Sequence, residues 1–222
     1  MSTDKKVSEI LDTRQLYRVE KKDIEKLQAL LSGCFHQDPL YQQLIPQTEI
    51  RRKLLPELFR CDLDELFESC EIYADSPDLN GIIVVSDETE PYDPLRFYAA
   101  EIFYLLKTYL TLIRDDPSMK TFWNFVKGKD YLNSCWTDGI GTDRRLHIVY
   151  FAVRPSMHGK GVASKLMRAV IGYARRYRLA VSLETHNEKN VGMYEHYGFQ
   201  LFEIVEEPLA LKQYCMVLPQ CA

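Results

Sequence analysis

Residues 146–166 read LHIVYFAVRPSMHGKGVASKL, and this stretch decides the fold. Ile148 to Val153 is a continuous run made mainly of β-branched and aromatic residues, which is typical of a strand covered on both faces. Pro155 ends this strand, because proline has no N–H to donate to a neighbouring strand. After two glycines, apolar residues between Val162 and Tyr173 recur at helical spacing. The local order is therefore strand, glycine loop and helix.

The loop between this strand and helix has the features of an anion-binding site. The first backbone N–H groups of a helix have no partners within it and lie at the positive end of its dipole, and glycines let a ligand approach the backbone closely. We therefore predict that a phosphate group binds to the loop residues His158, Gly159, Lys160, Gly161, Val162, Ala163 and Ser164. The loop matches neither common nucleotide pattern, since it lacks both Gly-Lys-Ser/Thr and a third glycine. A purely structural turn is the alternative interpretation.

Two sequence blocks resemble the GNAT family of N-acetyltransferases. The segment 158–163, HGKGVA, is similar to the family's coenzyme A loop, Gln/Arg-x-x-Gly-x-Gly/Ala, with histidine at the first position. The segment 187–199, NEKNVGMYEHYGF, is similar to the family's closing signature of Asn, then Tyr, then Gly-Phe. The short sequences Leu-Glu-Thr at 183–185 and Tyr-Cys-Met at 214–216 are most similar to the branch that contains puromycin acetyltransferase. Together these blocks cover about the last third of the chain.

The resemblance implies that acetyl coenzyme A is the cosubstrate and that it lies between two parallel strands. It also implies roles for particular residues. A backbone N–H of Phe151 or Val153, on either side of Ala152, would stabilise the reacting oxygen. Asn187 would contact the pantetheine arm of the coenzyme. Tyr194 would also contact the coenzyme and donate a proton to the leaving thiolate.

Composition and charge indicate an ordinary globular protein. The chain has 222 residues, of which 46% are hydrophobic and 27% charged, and this predicts a single domain over residues 1–222. The net charge of −4 argues against a nucleic-acid partner. The polar segment 1–9 lacks the apolar core of a signal peptide, and no apolar run is long enough to span a membrane. Six cysteines without paired spacing indicate reduced thiols in the cytoplasm and no metal site.

The remaining pattern predicts an α/β fold with a mixed central β-sheet flanked by helices. Strands are expected at 16–19, 71–74, 81–85, 148–153, 181–185, 199–205 and 212–218, and helices at 24–31, 48–66, 162–177 and 190–196. A helical insertion of about residues 91–140, with helices at 95–113 and 119–132, lies between the third and fourth strands. The coenzyme A-binding core is predicted at about 145–218. Residues 138–143 are predicted to form a flexible loop.

The insertion is rich in aromatic residues. These are Tyr92, Phe97, Tyr98, Phe103, Tyr104, Tyr109, Phe122, Trp123, Phe125, Tyr131 and Trp136. Most are expected to form a small hydrophobic subcore. Tyrosines also give large apolar contacts and a hydroxyl for orientation, so one end of the insertion is expected to roof the acceptor pocket.

Acyl transfer to an amine needs a proton acceptor, because an amine with a pKa near ~10 is mostly protonated at neutral pH. His147 is the first candidate, since it lies on the central strand at a position that resembles the glutamate base of histone-type members. An imidazole titrates near neutral pH, which suits a general base. A histidine that only fills space and forms hydrogen bonds is the alternative, and Glu184, Tyr150, Asp38 or water would then accept the proton.

The acceptor amine is expected to contact Asp38, Tyr41 and Glu184. In the family, the segment that links the first two helices borders the acceptor cleft, and Asp38 and Tyr41 lie in that segment here. An aspartate before a proline is also a common turn residue, so a structural role for Asp38 stays open.

These features predict direct acetyl transfer from acetyl coenzyme A to a primary amine of a small molecule, by a monomer or a homodimer. Two alternatives remain: a degenerate member that senses acyl coenzyme A without turnover, and a protein or peptide N-acetyltransferase. The presence of both His147 and Tyr194 favours an enzyme over a sensor. The bulky aromatic insertion argues against a surface groove for a peptide.

Overall fold

The computed structural model describes residues 15–89, 94–116 and 118–220. The strands in this part of the chain are β1 (Tyr17–Arg18), β2 (Glu71–Ala74), β3 (Gly81–Asp87), β4 (Arg145–Val153), β5 (Ala180–Thr185), β6 (Gln200–Val205) and β7 (Gln213–Leu218). The α-helices are α1 (Ile24–Phe35), α2 (Pro39–Leu44), α3 (Thr48–Ser69), α4 (Pro94–Asp115), α5 (Lys120–Lys127), α6 (Val162–Tyr177) and α7 (Glu188–His196).

The strands form one seven-stranded mixed sheet with the order β1-β2-β3-β4-β5-β7-β6. Strands β4 and β5 are parallel and are joined by α6, whereas the other neighbouring pairs are antiparallel. The mixed sheet, the flanking helices and the helical insertion between β3 and β4 confirm the predicted fold class. Residues 1–14 and 91–93, which include the predicted start of the insertion, lie outside the described residues.

The two faces of the sheet are covered by different helices, and each face has its own core. Helices α1, α2 and α3 contribute Leu30, Leu44 and Phe59 to one core. Helices α6 and α7 contribute Leu166 and Tyr194 to the other. Each face of β4 therefore packs against a different set of helices, and any change in its side-chain alternation moves residues from one core to the other.

Local sequence signals set the starts of the two short helices near the carboxyl end of β5. Asp38 is extended, as expected before a proline, and its Oδ1 accepts a hydrogen bond from Leu40 N at 2.9 Å, so it caps α2. Asn187 caps α7 in the same way, with Oδ1 accepting from Lys189 N at 3.2 Å. The sequence analysis predicted no helix between 24–31 and 48–66, and so it missed α2.

The insertion packs against α3 and ends near the sheet. Lys107 Nζ of α4 lies 2.6 Å from Asp64 Oδ2, and Phe125 and Tyr131 are buried in the core beneath α1–α3. Tyr92 and the side chains of Phe97 and Tyr98 lie outside the described part of the chain. The loop expected at 138–143 begins inside a 3-10 turn, Cys135–Ile140, which the sequence analysis missed, and hydrogen bonds to β4 and β5 help to hold this turn. One of them is donated by Arg145 Nη2 to Thr137 Oγ1 at 2.9 Å.

Candidate active site

A β-bulge in the centre of β4 opens the sheet. Val84 of β3 pairs with Tyr150 and Val85 pairs with Ile148, which leaves Val149 as the extra residue. Side chains on the α6 side of β4 therefore change from even to odd numbers: Leu146 and Ile148 before the bulge, then Phe151 and Val153 after it.

The bulge coincides with the point where β4 and β5 separate. Their parallel pairing runs from Arg145 opposite Ala180 to Ile148 opposite Leu183 and ends there. Beyond it, the edge of β4 that faces β5 has no strand partner, so its backbone groups are available to a ligand. The result is a cleft between residues 150–153 of β4 and residues 184–187 at the end of β5.

The glycine loop lies at the end of this cleft. Gly159 and Gly161 have φ values of 74° and 80°, a conformation that favours glycine, and a Cβ at either position would meet no atom within 4 Å. The first hydrogen bond of α6 runs from Lys165 N to Gly161 O, so the amides of residues 162–164 precede the helical ladder. His158 turns back and donates from Nε2 to Val153 O at 3.0 Å. Open space, positive φ and free amides suit a pyrophosphate group.

The position of this loop depends on a third glycine, Gly81 at the start of β3. A Cβ at Gly81 would lie 2.6 Å from Val162 Cγ1 and 3.0 Å from Val153 Cγ2. The missing side chain therefore lets the first residue of α6 pack directly on the paired strands β3 and β4. The sequence analysis did not identify this contact.

Tyr194 of α7 lies beside Phe151 of β4. It is 5% exposed, and its ring lies 6.4 Å from that of Phe151 and 5.9 Å from that of Phe199, measured between centroids. Burial raises the pKa of the Tyr194 phenol, and the negative charges of Asp38 and Glu184 raise it further. The phenol is therefore protonated at neutral pH, which is the state that a proton donor needs.

His147 lies in the half of β4 that is still paired with β5, and it is 6% exposed. Both of its ring nitrogens have partners: Nε2 lies 3.0 Å from Ser134 Oγ, and Nδ1 lies 2.9 Å from Ser182 Oγ. The structure thus places His147 in a buried hydrogen-bond network below the cleft. Its role as the general base stays a prediction.

The same network holds Glu184, the predicted acceptor-binding carboxylate. Ser134 Oγ donates to Glu184 Oε1 at 2.9 Å, and Trp136 Nε1 donates to Oε2 at 3.0 Å. Burial acts to raise the pKa of Glu184, but the neighbouring His147 and the hydrogen bonds from Trp136 and Ser134 outweigh it and hold the pKa below its usual value. Glu184 is therefore ionised at neutral pH. The sequence analysis named Trp136 only as part of the aromatic insertion and did not consider Ser134.

Aromatic residues form the wall of the cleft on the α1–α3 side. Phe35, Tyr41, Phe59 and Tyr150 pack together, with five centroid distances between 5.4 and 6.0 Å. Tyr150 OH donates to Asp62 Oδ2 at 2.8 Å. Desolvation by the surrounding protein raises the pKa of Asp62 from 3.8 to about 6. Tyr41 is buried within this wall, so its contact with an acceptor stays a prediction.

Asp38 precedes α2 and His186 follows β5, and each lies close enough to the other for its charge to shift the other's pKa. Burial raises the pKa of Asp38, and the charge of His186 and the amides of α2 oppose this. Burial lowers the pKa of His186, and the Asp38 charge opposes this. The sequence analysis missed His186, although a residue directly after a parallel strand and next to Asn187 is in a position where ligands commonly bind.

A separate groove of about 660 Å³ lies between α5 and the connection from α2 to α3. Its lining includes Pro46, Ile50, Met119, Trp123 and Lys127, and it shares no residue with the cleft. Within residues 15–89, 94–116 and 118–220, His, Cys, Asp and Glu form no group placed to hold a metal ion. Over the same described ranges, no helix combines the length and apolar character needed to cross a membrane.

Residues 86–199, just over half of the chain, match the model of the acetyltransferase (GNAT) family. The chain belongs to the GNAT family. It is therefore an acyltransferase, which confirms that prediction. Members of the GNAT family generally use acetyl coenzyme A as the acetyl donor. No curated protein sequence matches the chain.

Solved structures support the GNAT fold over nearly the whole chain. One is titled histone acetyltransferase HPA2 and related acetyltransferase from Corynebacterium glutamicum, with a TM-score of 0.59, 16% identity, and coverage of 94% of this chain and 97% of that one. The ribosomal-protein-S18-alanine N-acetyltransferase from Escherichia coli gives 0.51 and 10%, covering 93% and 94%. An agmatine N-acetyltransferase gives 0.50 and 16%, covering 91% and 98%. At these identities the likeness concerns the fold alone.

Proposed function

We propose that this protein transfers an acetyl group from acetyl coenzyme A directly to a primary amine of a small cationic molecule. One observation carries the proposal. At the Val149 bulge, an amide-rich loop on one side of the cleft meets an acidic and aromatic wall on the other. The first surface suits an anionic coenzyme, and the second suits a cationic acceptor.

The chain has residues suited to hold each part of the coenzyme, which supplies the acetyl thioester. The amides of Gly159 and of residues 161–164 would hold the pyrophosphate, with the Lys160 side chain at the edge of the loop. The Asn187 side chain uses its oxygen for the α7 cap, so its amide N–H groups remain for the pantetheine arm. Backbone N–H groups between Phe151 and Val153 would hold the acetyl oxygen.

The acceptor side is built to attract an ammonium group. Glu184 is ionised, and Asp38 faces the same end of the cleft. Tyr150 and Phe35, both half-buried, offer apolar surface for the carbon chain of the acceptor. Tyr194 would donate its phenolic proton to the departing thiolate. A cationic amine is therefore favoured over a neutral one.

The insertion favours a small molecule over a peptide acceptor. Its 3-10 turn places Ser134 and Trp136 directly on Glu184, so the acceptor side of the cleft is covered by this turn. A protein acceptor would need this surface to be open. The similarity of residues 183–185 and 214–216 to the puromycin acetyltransferase-like branch also supports a small-molecule acceptor. On the basis of these two segments, we propose that the chain belongs to that branch.

The test is calorimetric titration of acetyl coenzyme A, followed by thiol release over a panel of polyamines, aminoglycosides, aminonucleosides, amino acids and an amino-terminal peptide. We expect binding, together with thiol release for a cationic small molecule. Release only with the peptide would favour the protein acetyltransferase. Binding without release over the whole panel would favour the sensor, and absence of binding would contradict the coenzyme site.

A further inference from the structure

We propose that His186 is the residue that accepts the proton of the acceptor ammonium, with Gln213 fixing its tautomer and Asp38 holding the cation beside it. This inference rests on the proposed function and names the general base of that site. His186 follows β5 directly, beyond Leu183, where β4 and β5 have already separated. It is half-buried, whereas His147 is buried.

The tautomer of His186 follows from a short chain of hydrogen bonds. Gln213 is 1% exposed, and its Nε2 lies 3.6 Å from Cys215 Sγ, which directs its Oε1 toward the histidine. That oxygen lies 2.9 Å from His186 Nε2. An amide oxygen only accepts, so Nε2 must carry the hydrogen and Nδ1 keeps its lone pair. The nitrogen left with the lone pair is the one that a base needs.

The groups that face His186 set its protonation state. Its ring packs against Tyr131 at a centroid distance of 5.9 Å. The neighbouring charged and polar groups are Asp38 at the start of α2, Glu184 of β5 and Gln213 of β7. Desolvation lowers the pKa of His186, and the two carboxylates and Gln213 only partly offset this. The imidazole is therefore neutral at neutral pH and ready to accept a proton.

A comparison of the two histidines near the cleft favours His186 as the base. Both ring nitrogens of His147 are engaged by serine hydroxyls, and the ring is buried. Because Ser134 gives its proton to Glu184, His147 Nε2 must donate to Ser134, and the lone pair lies on Nδ1, beside Ser182. A proton could reach that buried nitrogen only after the hydrogen bond with Ser182 is broken. His186 needs no such change, because its Nδ1 is not used by Gln213. We therefore assign His147 a positioning role for Glu184.

The proton balance of the reaction is complete with these residues. In the first step an ammonium N–H bond breaks, its electron pair stays on nitrogen, and the proton binds to His186 Nδ1. The amine nitrogen then forms the C–N bond as the C–S bond breaks. The thiolate takes the proton of Tyr194 OH, and Tyr194 regains one from the acylated nitrogen. One proton remains on His186 and passes to water.

The experiment compares the pH dependence of kcat/KM for the wild type, His186→Gln and His147→Gln, with His196→Gln, an exposed histidine of α7, as the control. With a strongly basic amine, we expect kcat/KM of the wild type to rise with pH through the His186 pKa and then to reach a plateau. In His186→Gln, kcat/KM should be about 100-fold lower at neutral pH. It should also keep rising with pH toward the amine pKa near ~10. With a weakly basic acceptor that is already neutral, such as methoxyamine, kcat/KM of His186→Gln should be close to that of the wild type.

A second measurement does not depend on turnover. NMR titration of the imidazole nitrogens should show His186 as the Nε2–H tautomer with a pKa lower than that of a free imidazole, and coenzyme binding should be unchanged in His186→Gln. Equal losses with both acceptors, or an unchanged pH profile in His186→Gln, would overturn the assignment while the transferase activity stands. Absence of thiol release in the wild type would instead overturn the proposed function.

Discussion

The glycine loop, which we propose binds the coenzyme, and the aromatic and acidic wall, which we propose binds the acceptor, are encoded in different ways. The loop is a contiguous segment, residues 158–164, with two glycines at positive φ, and in our proposal it binds through its backbone amides. The wall collects side chains from α2, α3, β4 and the end of β5, including Asp38, Asp62 and His186. A backbone site can be recognised in a short motif, whereas a side-chain site exists only once distant elements have packed.

The Val149 bulge connects the two sites. One extra residue on β4 changes which side chains face α6, and it coincides with the loss of pairing between β4 and β5. The same strand can therefore offer Phe151 to the coenzyme side and Tyr150 to the acceptor side. Variants of each site should then affect one ligand and not the other.

The largest effect is expected from Gly161→Asp on the coenzyme side. The new carboxylate would face the pyrophosphate, and an L-residue is strained at a φ of 80°, so we expect at least a 100-fold loss of coenzyme affinity. Gly172→Asp is the matched control, because Gly172 is an exposed glycine of α6 that also has open space around it. Calorimetry measures both, and tight binding by a folded Gly161→Asp would refute the loop assignment.

Tyr194→Phe should separate turnover from coenzyme binding. Removing the hydroxyl keeps the ring between Phe151 and Phe199, so we expect kcat to fall about 10- to 100-fold with nearly unchanged affinity for coenzyme A. Tyr197→Phe, at the C-cap residue of α7, is the control and should retain full kcat. Equal kcat values for wild type and Tyr194→Phe would remove Tyr194 as the proton donor.

Trp136→Phe tests whether the insertion contributes to the acceptor wall. The variant loses the hydrogen bond to Glu184 Oε2 but keeps an aromatic ring near Phe202, so the pKa of Glu184 should rise toward its usual value. We expect KM for the amine to increase about fivefold, equal to the loss of ~1 kcal/mol from one hydrogen bond, while coenzyme affinity stays the same. The exposed Trp123→Phe is the control, and an effect of equal size there would argue against this role.

Asp62→Asn should have the smallest effect, on stability. The folded state holds the Asp62 proton up to a pKa of about 6, whereas the unfolded chain loses it near 3.8, so the free energy of unfolding falls as pH rises between these values. Asparagine still accepts the Tyr150 hydrogen bond without a charge. We expect it to stabilise the protein by about 1–2 kcal/mol at pH 7 and to flatten this part of the profile.

Chemical unfolding between pH 4 and 7 measures the Asp62 effect. Asp143→Asn, at an exposed aspartate, serves as the control. A destabilised Asp62→Asn at pH 7 would show that the carboxylate stabilises the wall in its charged form.

Much of the fold could be predicted, because its signals are local. The strand–loop–helix order around Pro155 and the insertion between β3 and β4 follow from periodicity, and the structure confirms them. The helix α2 was missed because its six residues are too few to show a period, and the Asp38-Pro39 pair also fits a turn. The hydrogen bonds that join Ser134 and Trp136 to Glu184 span about fifty residues, and no local pattern encodes them.

The most direct test of the account is a crystal structure with coenzyme A bound. The account predicts pyrophosphate oxygens about 3 Å from the amides that lead into α6 and the thiol sulfur between Phe151 and the Tyr194 hydroxyl, with the Asp38 and His186 side of the cleft left open for the amine. Coenzyme A bound instead in the groove beside Trp123, or a sulfur directed away from Tyr194, would contradict it.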